Sequence, residues 1–265
     1  MSNIIIDPFR FGGFHNTTTN TQSFSFDGNA DFLERAEDNN WDFITGAGSD
    51  PDEKWSVAFW IKRTGGTNND SILTKYSTGS NLSYRLFWAS STLLLDTYDG
   101  SGYKRRQKGG LSSTAWQHIV LAYNGNLAGW KIYINGTLQT GTSTGGSGGE
   151  MIDTNSSIRI GRLGTATSYD LNALMCQFIV WKGVELDQAA VTYLYGDAAA
   201  HRDPTLPGSQ DTGVYTQAQA DALMCWLPMD DANGADDHSG SAHGTHNFTK
   251  NGNCDVTTGA GNVPF

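Results

Sequence analysis

Residues 116–142 read "WQHIVLAYNGNLAGWKIYINGTLQTGT", two runs of alternating side chains joined by a short polar link. In the first run Gln117, Ile119, Leu121 and Tyr123 share one face, and His118, Val120 and Ala122 the other. In the second, Trp130, Ile132 and Ile134 oppose Lys131, Tyr133 and Asn135. A period of two is that of a β-strand, whose successive side chains point to opposite faces. Asn135-Gly136 offers the two positions of positive φ that a tight hairpin turn demands. Residues 133–139 therefore read as a hairpin, and "NGNLAG" ties in the preceding strand to give a three-stranded meander.

The same alternation extends outward in both directions. "SFSFDGNADFLE" alternates on either side of an Asp-Gly turn, and "WSVAFWIKR" (55–63) sets Trp55, Val57, Phe59 and Ile61 against Ala58, Trp60 and Lys62. "SILTKY", "SYRLFWAS", "TLLLDTYDG", "SSIRIGRLG" and "ALMCQFIVWKG" read as further strands. In "ELDQAAVTYLYG" the spacing changes: Leu186, Ala190, Tyr193 and Leu194 fall near one stripe, which predicts a short helix. Residues 198–216 read as a loop excursion, "QAQADALMCWLPMDD" as a renewed apolar run and "GTHNFTKNGN" as one more strand. "ALMC" at 173–176 and again at 222–225 is too short for a repeat and is explained by two buried strands of similar surroundings.

About a dozen strands with one short helix predict an all-β protein, a two-sheet antiparallel jelly-roll sandwich. It is expected to span 22–265, behind an extended N-terminal arm at 1–21. With 32 glycines and only 17% charged residues, the composition suits a turn-rich β protein. The formal net charge of −10 excludes nucleic-acid binding through a broad basic surface. No stretch approaches a membrane span of roughly 18 apolar residues. The opening "MSNIIIDPFRFGGFH" lacks a basic n-region, so it reads as made without export. Cys176, Cys225 and Cys254 cannot all pair and have no metal-type spacing; they are expected as buried thiols, which suits assembly in a reducing cytoplasm.

The order of "FSFDGNADFLE", "WSVAFWIKR", "ILTKY", "WQHIVLAYNG", "WKIYINGTLQ", "SIRIGRLG" and "FIVWKGVELDQAAVTYLYGD" resembles that of concanavalin A-like jelly rolls. It is most similar to their laminin-G and pentraxin-like branch, from about Phe24 to Asp197. The tail "CWLPMDDANGADDHSGSAHGTHNFTKNGN" resembles a segment that often opens such domains, an apolar strand and acidic loop followed by Asp-x-Ser-Gly-x-x-His-Gly-Thr. Here it comes last, which implies a sandwich closed by its C-terminus.

The resemblance brings chemistry that this sequence can be tested for. Laminarinase-type relatives need paired carboxylates on one strand, flanking the glycosidic bond. That pattern is missing here, "EMIDT" being the nearest approach, and no nucleophile elbow, P-loop or zinc-protease motif occurs. The protein is therefore expected not to be an enzyme. His238, His243 and His246 cluster in a polar loop and read as turn residues, and His118 as a packed one. The resemblance also implies calcium, which needs six to eight oxygens. The pentraxin-type acidic loop after the "IRIG" strand is replaced by Arg162-Leu163-Gly164, without a carboxylate. Asp230, Asp231, Asp236 and Asp237 form the dense acidic loop and are the candidate ligands for a structural calcium ion, against a solvated turn. No cofactor is expected to be required for folding.

Sugar binding would use exposed aromatics beside polar groups. "WASSTLLLDTYDGSGYKRRQKGG" supplies Trp88, Tyr98, Tyr103, Arg105 and Arg106 as glycan-binding candidates. The competing reading makes Trp88 a core residue and Lys104–Lys108 a charged edge strand. A sandwich that the resemblance makes of usually extracellular type, here expected without signal peptide or disulfides and behind an arm, points to a non-enzymatic structural protein of a bacteriophage virion, a capsid decoration or tail-associated protein with a lectin-like adhesive sandwich, assembled in the host cytoplasm. The alternative is a carbohydrate-binding module of a secreted bacterial protein. Expected partners are other virion proteins and cell-surface glycans, and a homo-oligomer is compatible with both. Ile4, Ile5, Ile6, Phe9, Phe11 and Phe14 in the arm are the candidate subunit contacts.

Overall fold

The computed structural model describes residues 22–44, 53–65, 69–78, 82–111, 114–125, 130–145, 151–166, 169–196, 204–205, 214–229 and 235–258. The arm, with Ile4 to Phe14, and most of the 198–216 excursion lie outside these residues. In chain order the strands are β1 (Gln22–Asp27), β2 (Phe32–Arg35), β3 (Trp55–Arg63), β4 (Asp70–Tyr76), β5 (Leu82–Ala89) and β6 (Thr92–Tyr98). Then follow β7 (Tyr103–Lys108), β8 (Gln117–Tyr123), β9 (Lys131–Ile134), β10 (Thr137–Gln139), β11 (Thr142–Gly145) and β12 (Ile158–Ile160). The last are β13 (Asn172–Lys182), β14 (Leu223–Leu227), β15 (Thr249–Asn251) and β16 (Asp255–Thr258).

They form two antiparallel sheets, a jelly-roll sandwich. The first runs β10-β9-β8-β3-β13-β1-β16, with β14 also paired to β13; the second runs β11-β7-β6-β5-β4-β12-β2-β15. The meander read from residues 116–142 is β8-β9-β10. Its turn holds Asn135 at φ 50° and Gly136 at φ 74°, as the Asn-Gly pair requires. The long strand β13 pairs with β1 through Asn172–Met175 and with β14 through Phe178–Trp181. Between them Gln177 adopts φ 53°, and the register with β3 shifts there. The tail supplies β15 and β16, the outermost strands at one edge of each sheet.

The inner faces meet in one core that includes Trp55, Phe59, Ile119, Ile132 and Phe178. Aromatic rings bridge the sheets: Phe43 stacks on Trp55 at 4.6 Å between centroids and lies 5.5 Å from Tyr84. The outer face of the first sheet is buried too. Ala58, Val120, Ala122, Tyr133, Ile179 and Trp181 pack with residues of two helices, α1 (Gln188–Tyr195) and α2 (Gln217–Asp221). That second layer explains why β8 is buried at every position. Neither helix is long and apolar enough to cross a membrane.

The helix α1 was expected from its stripe, and Asp187 caps it by accepting from the Ala190 N–H. The helix α2 corrects the expectation of a single helix. Residues 217–221 lie in what reads as an apolar run, but Thr216 and Gln219 form a reciprocal capping box, a Thr-x-x-Gln signal present in the sequence.

His118 sits on the helix-covered face, its ring 5.0 Å from that of Trp60 and 5.8 Å from that of Tyr195. Burial pushes its pKa down to about 3. The folded state keeps the imidazole neutral, whereas the unfolded chain protonates it near pH 6.5. Its contribution to stability is therefore complete above about pH 6.5 and is lost as pH falls from there towards 3. By pH 4 the loss should be on the order of 3 kcal/mol. His118→Phe should accordingly show a shallower fall in melting temperature than the parent between pH 6.5 and 4. Parallel curves would assign the acid lability to other groups.

Candidate functional site

Both described helices pack on the first sheet, so the outer face of the second is where charged side chains collect. Register lays one row across it: Arg105 opposite Asp96, Asp96 opposite Arg85, Arg85 opposite Thr74, Thr74 opposite Arg159, and Arg159 opposite Glu34. Opposed charges on facing strands stabilise such a row. The centre is Asp96, whose side chain is fully buried beneath two guanidiniums. Arg105 donates its Nε–H to Asp96 Oδ1 at 2.6 Å and an Nη2–H to Oδ2 at 2.8 Å, while the Arg85 Nε–H reaches Oδ2 at 2.9 Å. The hydrogen bonds from Arg105 to Asp96 raise the arginine's pKa above its ordinary value.

Aromatic rings frame this pair. Arg85 lies 4.6 Å and Arg105 5.6 Å from the centroid of Phe87, which is buried under them. Tyr103 is a second ring beside Arg85, at 5.3 Å, and lies 5.5 Å from the ring of Tyr98. Tyr103 is 48% exposed, one of two large hydrophobic residues so exposed among the described residues. The arrangement offers an aromatic platform, guanidinium donors held by a buried carboxylate, and access from solvent.

Of the five residues read as glycan candidates, Tyr98, Tyr103 and Arg105 come together on this face. Trp88 does not: it is 1% exposed and belongs to the core with Tyr84 and Leu86, the same alternate positions of β5. Arg106 falls on the opposite side of β7 from Arg105. Arg85, Phe87 and Asp96 were missed. The alternation in "SYRLFWAS" already separates Arg85 and Phe87 from Trp88, but only the pairing of β5 with β6 brings Asp96 beneath the guanidinium. A polar hollow of about 470 Å³ lies elsewhere, lined by Glu34, Arg35, Glu37, Asp38, Asn247 and Thr249 among others, and no aromatic side chain lines it.

A family model described as the concanavalin A-like lectin/glucanases superfamily matches residues 35–192. The chain belongs to that superfamily. Among solved structures, it is similar to a candidate carbohydrate binding protein from Bacteroides ovatus, at 19% identity and a TM-score of 0.56 over 90% of this chain. The match spans 60% of that protein's chain. A botulinum neurotoxin type G receptor binding domain matches 55% of this chain and 38% of its own, at 17% identity and a TM-score of 0.44. No curated protein sequence matches.

A structural calcium ion of the kind that the laminin-G likeness implies would have to be held by the acidic residues at 230–237. Asp230 and Asp231 lie outside the described residues. Asp236 is exposed. Asp237 is engaged as a turn organiser: Oδ1 accepts from the N–H groups of Trp226 and Ser239, and Oδ2 from that of His246 at 2.8 Å. These three backbone donors occupy most of the roughly four lone-pair positions of the carboxylate.

Three other carboxylates converge, those of Glu37, Asp42 and Asp153, but an ammonium lies among them. Lys75 is fully buried, contacts Asp42 directly, and lies 3.6 Å from Glu37 and 3.7 Å from Asp153. Burial lowers the Lys75 pKa below the usual lysine value, and the carboxylates of Asp153 and Glu37 oppose that shift. Removing one partner of such a pair leaves an uncompensated buried charge. Lys75→Met should therefore cost about 3–5 kcal/mol, read as a lower denaturation midpoint. Adding Asp42→Asn should recover much of the loss. Equal losses in the single and double variants would mean that the two side chains are not coupled.

Proposed function

We propose that this protein is a non-enzymatic, lectin-like adhesion module that holds a glycan on the outer face of the second sheet. One observation carries this reading: Tyr98 and Tyr103 form a solvent-reachable aromatic platform beside Arg85 and Arg105, on the face that neither described helix covers. Sugars present apolar faces that stack on such rings and hydroxyls that accept from such donors. The fold is shared with a candidate carbohydrate binding protein, which agrees with the reading. The carboxylates in the row, Asp96 and Glu34, are both paired with arginines, which suits recognition better than acid–base work on a glycosidic bond.

The setting we propose is a bacteriophage virion, as a capsid decoration or tail-associated protein. All three cysteines are buried and none forms a disulfide with another. A surface-binding sandwich built without disulfides fits a particle assembled in a reducing cytoplasm and freed by lysis. The apolar set Ile4, Ile5, Ile6, Phe9, Phe11 and Phe14 would be the anchor to neighbouring virion proteins. A module of a secreted bacterial protein is the second reading, favoured by the Bacteroides ovatus likeness.

Full-length protein screened against a panel of polysaccharides should bind at least one, without cleaving it. Tyr103→Ala should weaken that binding by about threefold to tenfold while leaving the melting temperature near the parent's. Unchanged affinity would place the site elsewhere, and retention of no glycan at all would remove the adhesive reading. Deleting residues 2–20 should leave the sandwich folded and abolish its attachment to particles. Normal attachment would exclude the arm as anchor.

A further inference from the structure

Resting on the glycan reading of this face, we infer that the ligand is an acidic polysaccharide, recognised through a hexuronate carboxylate by Arg105 and Arg85. Among the described residues the two guanidiniums share a single carboxylate, so the cluster carries one positive charge in excess on a chain whose formal net charge is −10. Asp96 is saturated from below: its two oxygens already accept three hydrogen bonds from the arginines. It holds both guanidiniums by their Nε and Nη2 edges. The Nη1 groups are in no hydrogen bond among the described residues, while the side chains are 21% and 32% exposed.

Geometry adds to charge. Guanidinium is planar and matches a carboxylate through two parallel N–H donors, a fit that a sugar hydroxyl cannot reproduce. Asp96 holds both guanidiniums by hydrogen bonds and the buried Phe87 ring lies against them, so less side-chain freedom is lost on binding than for free arginines. Tyr103, beside Arg85, is placed to stack on the pyranose ring that carries the acid. A neutral glycan would use the tyrosines but would leave the positive charge desolvated without a partner, and that difference is the source of selectivity.

The test compares polygalacturonate and alginate with a neutral β-glucan, by calorimetry on full-length protein at low and high salt. Binding of an acidic polymer that weakens as salt rises, with little or no binding of the glucan, is the expected result. Arg105→Gln should reduce acidic binding by about tenfold to a hundredfold, with Asp96 still held by Arg85. If that variant does not fold, competition on the parent decides instead: free galacturonate should displace the polymer where galactose does not. Equal binding of neutral and acidic polymers, insensitive to salt, would overturn the acidic inference and leave the glycan reading standing. Binding of neither would overturn the acidic inference, and the glycan reading would then stand or fall on the wider polysaccharide panel.

Discussion

A two-sheet sandwich has four faces, and the hydrophobic effect closes the two inner ones against each other. Here a third is closed as well. Trp181, Ile179 and Val120 on the outside of the first sheet are covered by Leu186, Val191 and Leu194 and by the α2 segment. That leaves the outer face of the second sheet as the place where polar groups must satisfy one another while facing water. The Arg105–Asp96–Arg85–Thr74–Arg159–Glu34 row follows from this constraint. Buried Asp96 must be paired, and arginines on adjacent strands are the residues that reach it with two donors each.

The ends of the sandwich are governed by a related demand. The loop that carries Trp41, Asp42 and Phe43 is drawn inward by aromatic packing, Phe43 on Trp55 and Trp41 against Phe248. Drawing it in takes Asp42 out of water, and Lys75 is the counter-charge that makes its burial tolerable. At the tail, Asp237 accepts from three backbone N–H groups, which folds the 235–246 segment against β14. Buried charge thus organises loops that apolar periodicity cannot specify.

Membership of the concanavalin A-like lectin/glucanase superfamily settles the scaffold and leaves the chemistry open, because members of one fold differ in the side chains placed on it. In this chain the acidic residues near the second sheet serve structure. Asp96 clamps arginines, Glu34 holds Arg159 and Asp170 holds Arg162. Around Asp96 the side chains turned towards solvent are Tyr103, Arg85 and Arg105.

Much of the architecture was legible from local pattern. Alternation in residues 116–142 yields β8 to β10 because the period-two rule is a property of the extended backbone, and Asn135-Gly136 yields the hairpin because few other residues tolerate positive φ twice in succession. Trp88 could be assigned to the core from its phase with Tyr84 and Leu86 alone. The capping box at Thr216 was equally local, yet an apolar run obscured it. Alternation, however, states only that a strand has two faces, and says nothing of what covers each. That His118 would lie under Tyr195, that Asp96 would receive arginines from both neighbouring strands, and that Lys75 would meet Asp42 and Asp153 depends on strand order and register. The Asp96 pairs join neighbouring strands of one sheet and need only their register, whereas the His118 and Lys75 contacts link segments distant in sequence and form once the fold has closed on its core.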